Sequence, residues 1–188
     1  MKVLKWIGII IGILVIAGYF GFQYMKVQTK TASPEDIVEY KQREKKLSVF
    51  YCKPSKKGRE IFGELVPFGK VWRTGANEAT TFTTNTTIDF GGEVVEPGTY
   101  TLWTIPQKTQ WTVILNSKMY SWGVGFDGTA SREAKYDVVK INVPVQSLDQ
   151  VVEQFTIEFV YSVNMNLMWD KTKVSVPIKF QPSKSDSL

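Results

Sequence analysis

The sequence contains no histidine and only one cysteine, Cys52. The absence of histidine excludes a Ser-His-Asp triad, a Cys-His pair and any histidine-ligated metal site. A lone cysteine excludes an intrachain disulfide and a zinc or iron–sulfur site built from several cysteines. We therefore expect no resident metal and no cofactor, and an enzyme built on this chain would depend on carboxylate, lysine or tyrosine chemistry.

Acidic residues are missing from residues 1–32, which carry four lysines. The rest of the chain holds the other 19 of the 23 basic residues against all 18 acidic residues, so the net charge of +5 belongs mainly to the N-terminal segment. A nearly neutral body predicts no nucleic-acid partner. Apolar residues make up 43% of the chain and charged residues 22%, which is enough apolar material for a packed core.

Residues 6–22 form an uncharged apolar run that is flanked by two lysines on each side. A membrane-spanning helix needs about 20 mostly apolar residues, with about 17 as the lower limit. Residues 1–30 are therefore predicted to be a transmembrane anchor, or an uncleaved signal, that contacts the membrane through residues 6–22. A cleaved signal peptide is the alternative, since Val15-Ile16-Ala17 is a weak cleavage site. The apolar residues that follow Ala17 favour retention.

The lysines on the two sides of this run balance, so the positive-inside rule leaves the topology open. A very short N-terminal tail before a large soluble part is typical of a signal-anchor whose tail stays inside. We therefore expect a single-pass membrane protein with its soluble domain outside the cytoplasm. No pattern indicates the oligomeric state.

Residues 31–46 are predicted to form a polar linker and one short helix. The segment SPED at residues 33–36 combines a capping serine, a proline suited to the first helical position and two acids suited to the positive end of the helix dipole. Ile37 and Tyr40 then have the i, i+3 spacing of a helix. We expect this helix over about 34–46, as a spacer or lid.

Residues 47–180 show the alternation of apolar residues that is typical of β-strands. The clearest stripes are Phe155-Ile157-Phe159-Tyr161, Val174-Val176-Ile178-Phe180, Trp111-Val113-Leu115, Val139-Ile141-Val143 and Phe82-Thr84-Thr86-Ile88-Phe90. Turns at Gly91-Gly92 and Glu96-Pro97-Gly98 separate short strands. The pattern predicts an all-β domain, an antiparallel β-sandwich that is jelly-roll-like or barrel-like. Residues 181–188 are predicted to form a flexible tail.

A more specific signal lies between residues 57 and 114. It consists of KGREIFG at 57–63, LVPFGKVWRTGANEAT at 65–80, PGTY at 97–100, TIP at 104–106 and WTVI at 111–114. These segments resemble the signature of the domain-of-unknown-function family 2911, over about residues 47–180. The resemblance implies an exported bacterial protein without an established activity. The chain departs from that family at Tyr51-Cys52-Lys53-Pro54, where cysteine and lysine replace a small residue and arginine, and in its transmembrane-like N-terminus.

The segment 65–80 also supplies the candidate binding residues. Arg73 carries a planar fork of donors that suits a carboxylate or phosphate. Asn77 both donates and accepts, Glu78 accepts, and Trp72 offers a flat apolar wall. The candidate ligand-binding set is Arg59, Lys70, Trp72, Arg73, Asn77 and Glu78. Such a set predicts binding of a small polar ligand or a glycan.

Three functions stay open at this point. The first is a membrane-anchored extracytoplasmic binding domain, and the second is an enzyme that uses carboxylate, lysine or tyrosine chemistry, although no catalytic motif is present. The third is a purely structural envelope protein, in which Arg73 and Glu78 pair with each other, Asn77 caps a turn and Trp72 belongs to the core. An open cleft at Arg73 would favour binding, whereas a packed Arg73–Glu78 pair would favour the structural alternative.

Overall fold

The computed structural model describes residues 2–160 and 163–181, apart from the side chains of residues 2–4 and 26. The chain divides into two compact units, Met1–Ala32 and Ser33–Leu188. The first unit is a single helix, α1 (Lys2–Ala32). Its stretch Lys5–Ala32 has 28 residues with a mean hydropathy of 2.0. At about 1.5 Å per residue this stretch is longer than the ~30 Å hydrocarbon layer of a bilayer, so it is long and apolar enough to span a membrane.

The regular structure of the second unit consists of β-strands, which are joined by turns and two long irregular segments. Its strands are β1 (Glu35–Gln42), β2 (Lys45–Cys52), β3 (Thr81–Thr84), β4 (Ile88–Phe90), β5 (Glu93–Val95), β6 (Gly98–Pro106), β7 (Gln110–Asn116), β8 (Asp137–Val160) and β9 (Asn164–Phe180). A single 3₁₀ turn, Ala134–Tyr136, precedes β8. The strands form one antiparallel sheet in the order β1-β2-β3-β6-β7-β8-β9-β4-β5. The sheet is open, because its end strands β1 and β5 do not pair with each other.

The two longest strands let this sheet fold over on itself. The first part of β8 pairs with β7 as far as Pro144, and its later part pairs with β9. The end of β9 then pairs with β4. Rings from the two halves meet face to edge, as between Phe82 of β3 and Phe90 of β4 at 5.3 Å. The result is a sandwich with the predicted antiparallel all-β architecture and a single main core.

The core is built from the stripes that the alternation predicts. The buried apolar residues of the described chain run from Leu47 to Ile178 and include Phe155, Ile157, Val174 and Val176. Phe159 and Phe180 are partly buried and pack against the same cluster. Tyr161 and, except for Gln181, the predicted tail 181–188 lie outside the described residues. Since the whole of this core falls within the second unit, a fragment of residues 33–188 contains everything that the core requires.

The predicted short helix over 34–46 is wrong, because this segment forms β1 and the start of β2. β1 pairs with β2 from Glu35↔Cys52 to Gln42↔Lys45, and the chain turns at Arg43 with a φ of 55°. Exposure alternates along β1 with a period of two, so Asp36, Val38 and Tyr40 share the inner face. The cap-like start at residue 33 is therefore overridden by backbone pairing with the neighbouring strand.

The threonine-rich run at 79–90 also differs from a single strand. It splits into β3, which pairs with β2 and β6, and β4, which pairs with β5 and β9. The Asn85 side chain fixes this break, because it accepts from the backbone N–H of Lys46 at 2.7 Å and donates to the carbonyl of Glu44 at 2.7 Å. The predicted Gly91-Gly92 turn joins β4 to β5, with φ values of 64° and 101° that favour glycine.

Candidate functional site

The loop of residues 53–80, here called the signature loop, is attached to the sheet at Trp72. The N–H of Trp72 donates to the carbonyl of Thr104 at 2.7 Å, and the N–H of Thr104 donates back to the carbonyl of Trp72 at 3.0 Å. Residues 71–73 thus extend the sheet beside β6. Because side chains alternate along an extended segment, Trp72 faces the main core whereas Val71 and Arg73 face the outer side.

The Trp72 side chain is a core residue. Its ring lies 4.9 Å from that of Phe155 and stacks on that of Trp169 with centroids 5.9 Å apart. Its Nε1 donates to the carbonyl of Gly75 at 3.0 Å. These contacts bury the indole in the core, so it cannot provide an open platform on which a sugar ring stacks.

A second segment covers the outer side of β6 and β7. Residues 117–133, here called the outer flap, lie over a small cluster of buried residues that includes Trp103 and Ile114. The ring of Tyr120 meets that of Trp103 edge to face at 5.5 Å. The tip of the flap is a miniature hairpin in which Val124 bridges to Ala130.

The base of the outer flap is held by a buried polar network. Arg132 forms an ion pair with Asp137 and donates from Nε to Oδ1 at 2.8 Å, with both side chains largely buried. The N–H of Glu133 donates to the hydroxyl of Tyr120 at 2.8 Å, and the Asn116 amide donates to Asp137 at 2.9 Å. The flap is therefore fixed at both ends of its span.

The outer flap touches the signature loop at Gly123. The N–H of Gly123 donates to the carbonyl of Asn77 at 2.9 Å. A Cβ at this position would lie 2.2 Å from Cδ and 2.7 Å from Cβ of Arg73. Only glycine allows this approach, so the flap backbone lies directly against the aliphatic stem of Arg73.

A cavity of about 480 Å³ lies between the two segments. Its lining is formed by Leu65, Val66, Pro67, Lys70, Val71, Trp72 and Arg73 from the signature loop and by Val124, Gly128, Thr129 and Ala130 from the outer flap. This volume falls in the range of about 300–1,000 Å³ that is usual for small-molecule sites. Among the described residues, Lys70 and Arg73 are the charged residues of this lining, and no acidic residue belongs to it.

Arg73 has no charged partner in the described part of the chain. Its Nε is buried and has no hydrogen-bond partner, and it is the one buried side-chain nitrogen or oxygen atom of the described residues in that condition. Burial lowers the pKa of its guanidinium from the usual value, and the proximity of Cys52 opposes that change. The predicted alternative of an Arg73–Glu78 ion pair is not observed among the salt bridges of residues 2–160 and 163–181. Arg73 is thus a half-buried cation that lines the cavity and has no charged partner among the described residues.

The other predicted site residues are directed elsewhere. Arg59 is exposed and donates to its own loop, to the carbonyls of Lys56 at 3.0 Å and Ser55 at 2.6 Å. Asn77 is buried, with a φ of 57°, and its amide donates to the carbonyl of Ser33 at 3.4 Å. Of the six predicted residues, the structure thus brings Lys70, Trp72 and Arg73 to the lining of the cavity.

Glu78 lies in a separate group of polar side chains with Glu35 and Cys52. One carboxylate oxygen of each glutamate and the Sγ of Cys52 lie within 4.8 Å of one another. The Cys52 thiol donates to Oε2 of Glu78 at 3.5 Å. Burial, first of all, and then the charge of Glu78 raise the pKa of Cys52 to about 11. At neutral pH the thiol is therefore protonated, and it donates its hydrogen bond to the Glu78 carboxylate.

The sequence-based set did not include the flap residues Val124, Gly128, Thr129 and Ala130. The signal that could have found them is the glycine-rich stretch from Gly123 to Gly128, which allows a tight hairpin at the tip. The position of that hairpin over Arg73 depends on the contact at Gly123, which no local pattern encodes.

Comparison with known proteins gives one match. A family model described as a protein of unknown function (DUF2911) matches residues 33–178, nearly the whole second unit. No curated protein matches the chain. No solved structure matches it either.

Proposed function

The chain belongs to the family of unknown function DUF2911, whose description names no activity, and we propose a function from the geometry of the cavity instead: the β-domain binds a small organic anion at Arg73. The N-terminal helix tethers this domain to a membrane, with the domain outside the cytoplasm. The observation that carries the binding proposal is the half-buried guanidinium of Arg73, whose Nε has no partner among the described residues, in a cavity that no described acid lines.

The chemistry of the lining supports an anion over a glycan. Arg73 presents a planar fork that binds a carboxylate or phosphate through two parallel hydrogen bonds. Lys70 adds a second positive charge at the same cavity. A glycan site would need an aromatic platform and several amide or carboxylate partners, but Trp72 packs in the core and Glu78 contacts Cys52.

A thermal-shift measurement on residues 33–188 tests the binding proposal. The probes are acetate, benzoate, inorganic phosphate and glucose at matched ionic strength. A ligand that binds only the folded state at about 100 times its Kd adds about 2.7 kcal/mol of stability. For a domain of this size that gain corresponds to a rise of about 5–11 °C in melting temperature. We expect such a rise with at least one organic anion and none with glucose.

Two arginine variants complete this test. Arg73→Met should remove the shift because it removes the donor fork and keeps the aliphatic stem. Arg43→Met is the matched control, since Arg43 is exposed at the β1–β2 turn, away from the cavity. An anion-induced shift that persists in Arg73→Met, or the absence of a shift with every anion, would contradict the proposal.

The extracytoplasmic side is supported by the resemblance of the domain to exported proteins. An alkaline phosphatase fusion after Leu188 in a bacterial host tests it, because this enzyme matures only outside the cytoplasm. We expect an active fusion. An inactive fusion that is produced at a normal level would place the domain on the cytoplasmic side.

A further inference from the structure

We infer that the anion bound at Arg73 carries an aliphatic chain, so that the ligand class is a short amphiphilic carboxylate or phosphate monoester. This inference rests on the proposed function, because it accepts an anion site at Arg73 and adds what the rest of the ligand is. It is carried by one juxtaposition, two cations in a cavity whose other lining residues are mostly apolar.

The apolar walls come from both segments that form the cavity. They are Leu65, Val66, Pro67, Val71, Val124 and Ala130. Leu65 is 43% exposed in the absence of a ligand, although it lies beside the buried Val66. An alkyl chain that covers this wall removes apolar surface from water on both sides, and the gain grows with each methylene that enters.

The cavity has few partners for a polar ligand body. Apart from the two cations, Thr129 offers the only side-chain hydroxyl of the lining. That hydroxyl already lies 2.8 Å and 3.0 Å from the two carboxylate oxygens of Asp127. A ligand with several hydroxyl groups would lose its water there without replacement, whereas an alkyl chain loses nothing.

The head group is set by charge. Lys70 and Arg73 are both cationic, and no carboxylate of the described residues lines the cavity to attract an amine. The guanidinium donates two parallel hydrogen bonds to a carboxylate or to a phosphate monoester with equally good geometry. Such heads occur on free short acids and on lipid-derived phosphates, and these two sources share the same chemistry of an anionic head and an apolar chain.

The test uses the full chain in phosphatidylcholine nanodiscs, with titrations into empty nanodiscs subtracted. Acetate, butyrate, hexanoate and octanoate are titrated by calorimetry. We expect affinity to rise about fourfold for each added methylene until the cavity is filled, as expected for full burial of the group. Hexanol and hexylamine, which keep the chain and lack the negative charge, should bind at least about tenfold more weakly than hexanoate, since the ion pair is lost.

Variants separate the contribution of the head from that of the chain. Arg73→Met should reduce the affinity for hexanoate to the affinity for hexanol. Leu65→Ser should reduce hexanoate binding several-fold and leave acetate binding unchanged, and it should fold because Leu65 is exposed. If Arg73→Met does not fold, Lys70→Met is the variant to test instead. Lys70 is exposed, so this variant should fold, and it should weaken hexanoate binding. Arg43→Met should bind as the unaltered chain does.

A parallel titration with hexyl phosphate distinguishes the sources. Tighter binding of hexyl phosphate than of hexanoate assigns a phosphate monoester head, and the reverse order assigns a free carboxylic acid. The inference is overturned if acetate binds as tightly as hexanoate and both depend on Arg73, an outcome that leaves the anion site intact. Equal binding of hexanol and hexanoate also overturns it. If no anion binds, the proposed function fails together with the inference.

Discussion

Replacement of Arg73 by methionine should leave the unliganded domain as stable as before, or more stable. The Nε of Arg73 is buried without a partner, and an unsatisfied buried donor costs about 1–3 kcal/mol. Methionine removes this donor and keeps an unbranched stem to pack against Gly123. Because the guanidinium as a whole is only partly buried, we expect a gain at the low end, about 1 kcal/mol in the free energy of unfolding.

The change in the free energy of unfolding caused by Arg73→Met distinguishes this geometry from the internal ion pair that the sequence also allows. If Arg73 were paired with a carboxylate inside the loop, the same change would leave that carboxylate buried and unpaired, at a cost of about 3–5 kcal/mol. The two alternatives thus differ in sign and not merely in size. A gain of about 1 kcal/mol corresponds to a rise of about 2–4 °C in melting temperature.

Urea unfolding of residues 33–188, followed by tryptophan fluorescence, measures this difference. Arg43→Met serves as the control for the loss of one arginine at the surface, and its effect should stay within about 0.5 kcal/mol. A destabilisation by Arg73→Met of more than about 3 kcal/mol would refute the reasoning, because it would reveal a carboxylate partner. Combined with loss of anion binding, a stabilising Arg73→Met would show that this residue is retained at a cost to stability, as binding residues often are.

Three further predictions concern other parts of the molecule. Tyr51→Phe should destabilise by about 1–3 kcal/mol, because the Tyr51 hydroxyl accepts from the buried N–H of Ile157 at 3.0 Å. Burial raises the pKa of Tyr51 from 10.0 to about 12. The contribution of this raised pKa to the free energy of unfolding is therefore complete below pH 10 and is lost as the pH rises towards 12. Urea unfolding of Tyr51→Phe should show a smaller loss of stability between pH 10 and pH 12 than that of the unaltered domain. Gly123→Ala should displace Arg73, since the added Cβ overlaps its stem, and should reduce the anion-induced thermal shift without unfolding the domain; an unchanged shift would show that the flap does not position Arg73. Deletion of residues 1–32 should move the protein from an alkali-resistant membrane fraction to the soluble fraction, whereas a full-length chain found in the soluble fraction would contradict the anchor.

The alternation of apolar residues was enough to predict the sandwich. In strands such as β7 and β9 every second side chain enters the core, so the sequence carries the burial pattern directly. β1 was missed because its local signals compete. The segment at 33–36 has the composition of a helix start, while the alternation of Asp36, Val38 and Tyr40 fits a strand. Pairing with β2 along its whole length decides between them, and that pairing is not visible in the segment alone.

The site was predictable only in part, because the signature loop changes direction within five residues. Arg73 and Asn77 are close in sequence, and an extended chain would place both on one face. The backbone takes positive φ values at Thr74 (56°), Gly75 (153°) and Asn77 (57°). Gly75 also lies so close to Cys52 that a Cβ would be 2.9 Å from its carbonyl oxygen. These turns send Arg73 to the cavity and Asn77 into the protein.

Arg73 differs from three other cations of the domain whose side chains are largely buried. Lys53, Lys56 and Arg132 have side chains that are 25%, 20% and 10% exposed. Each of them forms a salt bridge, with Asp36, Asp170 and Asp137 respectively. A carboxylate of the chain thus balances each of these three cations, whereas the described residues give the buried Nε of Arg73 no partner, and burial of a polar group without a partner is costly. This difference supports the proposal that an anion from outside the chain binds at Arg73, and the apolar residues that line the same cavity favour an anion that brings its own apolar surface.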